Sequence, residues 1–272
     1  MRDFLVPVSD GVRLHVREAA GEGAPYLLVH GLASNARTWD GVAAHLTAAG
    51  HRVVAVDLRG HGESDAPPSG YDTLTATADL ATLVQALGLV KPVIAGQSWG
   101  GNVVLQLAAD RPDLPHAVAA VDGGWIHLSD AFPSWEACAA RLAPPNFAGA
   151  RAADLEARFR SAHPDWPDSG IAGTLANFAV NPDGTARPRL SREHHMTILR
   201  SLWEHTPRTL YPQVTAPALL IPAGANGSAD AVTEAVAALK DATVRAYPDA
   251  DHDVHAQHPA EIAADLLRLA TP

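Results

Sequence analysis

Cysteine is almost missing from this chain: Cys138 stands alone among 272 residues, which excludes an intramolecular disulfide and leaves no thiolate set for a zinc site. It is expected to serve as a small buried apolar residue. Charge is sparse as well. Asp, Glu, Lys and Arg make up 18% of the chain, the formal net charge is −10, and no Lys/Arg run occurs, so neither nucleic acid nor an anionic membrane surface is an expected partner. No apolar run approaches the length of a membrane-spanning helix, and the apolar stretch at Phe4-Leu5-Val6 is too short for a signal peptide. A cytoplasmic location is the expectation. Internal repeats and low-complexity segments are also lacking. What is abundant is apolar residues, 47% of the chain, enough for one large core with or without an insertion.

Against that background one stretch stands out. Pro92-Val93-Ile94-Ala95 reads as a buried strand, Gly96-Gln97-Ser98-Trp99-Gly100 follows, and a helical pattern runs on from Asn102 to Asp110. A serine on so tight a strand-to-helix turn must take strained backbone angles, and the positions two before and two after must lack side chains that would clash. Its hydroxyl is then held out above the sheet at a helix N-terminus. With 21 glycines and 12 serines, the five-residue pattern arises by chance in about one such chain in fourteen, so the rest of the sequence has to supply a base, an acid and an oxyanion site.

Taken in order, residues 3–18 predict a hairpin: Phe4 to Val8, a Ser9-Asp10-Gly11 turn, then Val12, Leu14 and Val16 alternating with Arg13, His15 and Arg17. Tyr26 to Val29 is continuously apolar, as a central parallel strand buried on both faces would be. A helix is expected over Arg37 to Ala49, a strand over Arg52 to Val56, and a helix capped by Asp72 or Thr73 with Leu74, Leu80, Leu83, Val84 and Leu87 sharing a face. His116 to Val121 predicts the sixth strand. After the interruption described next, the rhythm resumes with a strand at Ala218 to Ile221, a helix from Asp230 to Leu239, a strand from Thr243 to Tyr247 and a closing helix from Pro259 to Leu269. Alternating strands and helices of this kind build a mostly parallel eight-stranded sheet with helices on both faces, an α/β architecture.

The interruption spans Trp125 to about Thr206, where short helical stretches lie between prolines and no strand-like run is expected. It holds four of the six Trp and four of the five Phe. The expectation is a helical cap, 125–207, inserted after the sixth strand of a core made of 1–124 and 208–272. Its aromatics are divided between packing and a ligand cavity, since pockets favour apolar walls between subdomains. Trp125, Trp135, Phe147 and Phe178, with His30 from the core, are the candidate pocket residues.

Four pieces now fall into one pattern: Val29-His30-Gly31-Leu32, Asp57-Leu58-Arg59-Gly60-His61-Gly62-Glu63-Ser64, Gly96-Gln97-Ser98-Trp99-Gly100, and Asp251-His252 with Pro259 beyond it. In this order at the ends of successive strands, they make the chain resemble the α/β-hydrolase superfamily over nearly its whole length outside the cap. The resemblance implies a nucleophile at Ser98, a base at His252, and an oxyanion site formed by the backbone amides of Leu32 and Trp99. It also implies that His30 braces its loop and that Asp57 to Ser64 is a structural turn. Of the other histidines, His255 and His258 lie beyond the loop, and His194-His195 lie in the cap. A metal at His252, Asp253 and His255 lacks a second ligand cluster.

The acid departs from the common pattern. Most relatives carry an aspartate at the third residue past a glycine after the seventh strand, but here Gly224-Ala225-Asn226-Gly227 offers no carboxylate. Two candidates remain: Asp122, at the end of the sixth strand, a position used in some branches of the superfamily, and Asp230, later on the seventh-strand loop. The expected function is a serine hydrolase cleaving a carboxylic ester or lactone of a small to medium apolar substrate, without cofactor or metal, as a monomer or homodimer. C–C bond hydrolysis, amide hydrolysis or acyl transfer on the same residues is the alternative, and a small-molecule binding protein on this scaffold is the alternative from another class. The serine itself argues against the dehalogenases and epoxide hydrolases that share the resemblance but use an aspartate nucleophile.

Overall fold

The computed structural model describes residues 1–147, 149–224 and 229–270. Eight strands form one sheet: β1 (Arg2–Pro7), β2 (Arg13–Ala19), β3 (Gly23–Val29), β4 (His51–Val56), β5 (Val93–Gln97), β6 (Ala117–Val121), β9 (Ala218–Ile221) and β10 (Ala242–Val244). Their spatial order is β1-β2-β4-β3-β5-β6-β9-β10. The β1–β2 and β2–β4 pairs are antiparallel and all others parallel.

Side chains alternate across a strand, so a run apolar at every position must be buried on both sides. In β3, Leu27 and Val29 enter one core with Val54, Val56, Ile94 and Val118, whereas Tyr26 and Leu28 enter the opposite core with Val53, Ala55, Val93 and Ala119. The first face is covered by α2 (Thr73–Ala86) and α3 (Trp99–Asp110), the second by α1 (Asp40–Ala48) and the closing helix Pro259–Leu269. Asp72 caps α2, its Oδ1 accepting from Thr75 N at 2.8 Å, which removes one of the orphan donors of the first turn. Leu74 does not share the buried face of α2. It is 61% exposed, because six residues carry it about 120° round the helix from Leu80.

Between β6 and β9 the chain forms α4 (Leu128–Ala131), α5 (Trp135–Leu142), α6 (Ala152–Ala162), α7 (Asp168–Leu175) and α8 (Arg192–Glu204). This segment is not strand-free. β7 (Phe178–Val180) and β8 (Ala186–Pro188) pair antiparallel, joined by Asn181-Pro182-Asp183-Gly184-Thr185. Asp183 Oδ1 accepts from Thr185 N at 2.9 Å, and Gly184 takes a positive φ of 81°. The proline breaks nothing here, because it sits in the turn and not in a strand. Nor does the segment have a separate core. Leu128, Cys138, Leu190, Ile198, Leu199 and Leu202 join the α2/α3 side of the sheet, and only Trp166, Ile171 and Ala256 form a small cluster of their own. The last sheet strand is shorter than expected, with Tyr247 reduced to an isolated bridge to Ala223. Among the described residues, no helix is long and apolar enough to cross a membrane.

Candidate active site

Ser98 lies between β5 and α3 with φ 54° and ψ −121°, a conformation that costs a non-glycine residue roughly 1–3 kcal/mol. The turn is closed by two glycines that leave no room for a methyl group. A Cβ at Gly96 would lie 2.1 Å from Gly100 O, and one at Gly100 would lie 2.5 Å from His30 O. Ser98 N donates to Val121 O at 2.9 Å, tying the elbow to the end of β6.

The residue after that strand end is Asp122. Its Oδ2 lies 2.5 Å from His252 Nδ1, and its Oδ1 accepts from Ala223 N at 3.0 Å. The second bond fixes the carboxylate, and the first orients the imidazole. With Nδ1 engaged, His252 keeps Nε2 free of any partner among the described residues, and the half-buried Ser98 hydroxyl is also unpartnered. Crowding by protein works against a charge on His252, but its hydrogen bond to Asp122 and the charges of Asp253 and Asp122 outweigh it and raise the pKa above the ordinary imidazole value. Asp230 is different: it is exposed in the first turn of α9 (Ala229–Ala238), and no hydrogen bond or ion pair joins it to His252. Asn226 and Gly227, which stand where most relatives carry the acid, lie outside the described residues.

Gln97, whose side chain had no assigned role, bonds to the same loop. Its Nε2 donates to His252 O at 3.1 Å, so the residue preceding the serine holds the backbone of the histidine.

The amides of Leu32 and Trp99 donate to no acceptor among the described residues. For Trp99 this is the usual state of a first helical turn. For Leu32 it reflects a loop held by two histidines. His30 is fully buried: Leu58 N donates to its Nε2 at 3.0 Å, so Nδ1 carries the hydrogen given to Gly31 O at 2.7 Å. His61 repeats the arrangement, accepting from Ala33 N at 3.2 Å and donating from Nδ1 to Arg59 O at 3.1 Å. Burial, then the neighbouring His30, lowers the His61 pKa to about 3. A neutral ring can accept where an imidazolium cannot. Asp57 braces the same region, accepting from Ala36 N at 2.7 Å and Glu63 N at 3.0 Å. His30 is therefore not a pocket residue, since both nitrogens are committed to backbone and no face is open.

Two cavities flank the site. One, about 440 Å³, runs from the loop residues Ala33 and Ser34 to Phe147, Phe159, Phe178 and Arg141. The other, about 390 Å³, is lined by Asp122, His252, Trp125, His127, Tyr211 and Arg208. Trp125, Phe147 and Phe178 thus face cavities. Trp135 lines neither of these two cavities: it packs edge-on to Trp203 at 6.2 Å with Arg200 over its ring at 5.0 Å. His195, read as a cap histidine, lines the first cavity, while His194 stacks on Tyr71 at 3.8 Å.

Sheet order, serine elbow and histidine loop together define an α/β-hydrolase. A family model for the alpha/beta hydrolase fold matches residues 25–259, and the chain belongs to that family. Among curated relatives it is similar to the soluble epoxide hydrolase of Corynebacterium sp. (strain C12), 37% identical over 126 residues, which are 46% of this chain and 43% of the relative. The match thus spans less than half that relative's length. Similarity extends along nearly the whole chain with the 2-(acetamidomethylene)succinate hydrolase of Mesorhizobium japonicum (strain LMG 29417 / CECT 9101 / MAFF 303099): 29% identity over 254 residues, 91% of this chain and 88% of the relative. The crystal structure of an E-2-(acetamidomethylene)succinate hydrolase superposes with a TM-score of 0.83 at 26% identity, covering 98% of both chains.

Proposed function

We propose that the protein is a serine hydrolase cleaving a carboxylic ester or lactone through an acyl-enzyme on Ser98. The observation that carries this reading is the 2.5 Å contact of Asp122 Oδ2 with His252 Nδ1, beside a serine in the strained elbow conformation. In the reaction the Ser98 oxygen attacks the carbonyl carbon while its proton passes to His252 Nε2. The carbonyl oxygen takes up the negative charge and is bound by the amides of Leu32 and Trp99, each such donor being worth roughly 3 kcal/mol in the transition state. His252 then gives the proton to the leaving oxygen; water, deprotonated by His252, attacks the acyl carbon, and the proton passes from His252 back to the Ser98 oxygen as the acyl bond breaks. Asp122 holds the imidazole in the tautomer with Nδ1 protonated and stabilises the imidazolium. Residues 125–207 act as the cap. Its phenylalanines supply the walls for an apolar substrate part, and their extent supports a small to medium group over a long chain.

Amide hydrolysis on the same residues is the second reading. It is favoured by similarity along nearly the whole chain to a hydrolase whose named substrate carries an acetamido group.

Incubation of the folded protein with a fluorophosphonate, followed by peptide mass spectrometry, tests the nucleophile. Labelling at Ser98 is expected, and its absence would sink the enzyme reading in favour of a binding protein on this scaffold. Turnover of a panel of p-nitrophenyl esters, lactones and N-acyl compounds then separates the two hydrolytic readings.

A further inference from the structure

His252 belongs to a loop anchored from two sides. From the core, Gln97 Nε2 donates to His252 O at 3.1 Å. From the inserted segment, two side chains converge on the residue before it: His163 Nδ1 and Trp166 Nε1 each lie 2.9 Å from Asp251 Oδ2. Both belong to the short link between α6 and α7. Their rings pack on one another at 4.2 Å, and Trp166 is buried against Ile171 and Ala256. The connection is doubled through Gln257, whose Oε1 accepts from Asp251 N at 2.7 Å while its Nε2 donates to Asp165 Oδ2 at 2.5 Å. Backbone contact is close as well, since a Cβ at Gly170 on α7 would meet Ala256 O at 2.8 Å.

A shared carboxylate oxygen is a stronger anchor than a neutral acceptor, and an indole N–H has only one hydrogen to give, so its direction fixes the acceptor. One residue along the chain from Asp251, a displacement of the backbone moves the imidazole away from both Asp122 and the serine. Misplacement of about 1 Å at such a distance from the chemistry costs on the order of a hundredfold in rate.

We propose that Asp251 is a positioning residue: gripped by His163 and Trp166 of the inserted segment, it fixes the backbone from which His252 reaches Asp122. The inserted segment thereby does more than wall the cavities. It holds the proton-transfer histidine in register, and movement of the α6–α7 link is felt at the base. The proposal rests on the serine-hydrolase reading of Ser98 and His252.

The test is the second-order rate of fluorophosphonate labelling at Ser98, read beside KM for p-nitrophenyl acetate and the melting temperature. Asp251→Ala is expected to label roughly 10- to 100-fold more slowly with KM within about twofold of wild type. Asp251→Asn, which keeps an acceptor oxygen for both donors, is expected to recover most of the rate. Trp166→Phe, which removes the indole N–H, should fall between. Wild-type labelling rates in Asp251→Ala and Trp166→Phe overturn the proposal, as does slowing that Asp251→Asn fails to rescue or that only tracks a fall in folded protein. Should Asp251→Ala not fold, the Asn and Phe variants decide by the same readings. A wild type that takes no label at Ser98 overturns the hydrolase reading, and this proposal with it.

Discussion

The two sides of the candidate site around Ser98 are held by different means. On the sheet side, position is set by backbone: Ser98 N on Val121 O, Ala223 N on Asp122, and the His30 and His61 rings committed to peptide groups. On the side of the inserted segment, position is set by side chains, three phenylalanines around a cavity of about 440 Å³ and a carboxylate gripped by a histidine and a tryptophan. Backbone geometry of this kind tolerates change in few residues. Side-chain packing can be rebuilt without disturbing the sheet. On the proposed reading, reaction type belongs to the first side and substrate choice to the second.

The largest effects should therefore come from the sheet side. Ser98→Ala and His252→Ala are each expected to lower kcat by roughly a millionfold on any accepted ester, since members of such a unit fail together. A loss below tenfold in either would remove that residue from the chemistry.

Asp122→Asn is expected to cost on the order of ten-thousandfold in kcat, with Asp230→Asn near wild type. The same pair carries a pH signature. Because Asp122 and Asp253 raise the His252 pKa, the acid limb of kcat/KM in the wild type should lie above the ordinary imidazole value near 6.5, with activity lost as pH falls through it. Asp122→Asn should move that limb to lower pH. An unmoved limb would detach Asp122 from the histidine.

Changes on the other side should alter selectivity more than rate. Phe178→Ala is expected to shift the kcat/KM ratio between bulky and acetyl esters by roughly tenfold or more while leaving acetyl turnover within a few-fold, as hydrophobic pockets discriminate by a few kcal/mol at most. Equal losses on all esters would return Phe178 to a purely structural role. Smallest of all, Leu74→Ser on the exposed face of α2 should change stability by no more than about 0.5 kcal/mol in urea unfolding.

The same division governs how much was legible beforehand. Runs such as Tyr26-Leu27-Leu28-Val29 announce themselves because burial on two faces leaves no polar position, and Gly96 and Gly100 mark a turn that admits no Cβ. The hairpin of β7 and β8 stayed hidden because three-residue strands have no periodicity to detect and its turn proline resembles a breaker. The choice between Asp122 and Asp230 is a matter of distance across the sheet, which spacing along the chain does not contain. Gln97 carried no assigned role and His61 only that of a structural turn over Asp57 to Ser64; the partners they reach, His252 O and Ala33 N, give each its task. Asp251 drew attention only as the residue before the histidine.

The left-handed backbone of Ser98 has a consequence for any attempt to harden this protein by selection. Ser98→Gly would relax a φ of 54° and should raise the melting temperature, by the equivalent of roughly 1 kcal/mol, while abolishing turnover. A screen that rewards heat resistance without demanding catalysis would drive this position toward the residue that discards the proposed nucleophile.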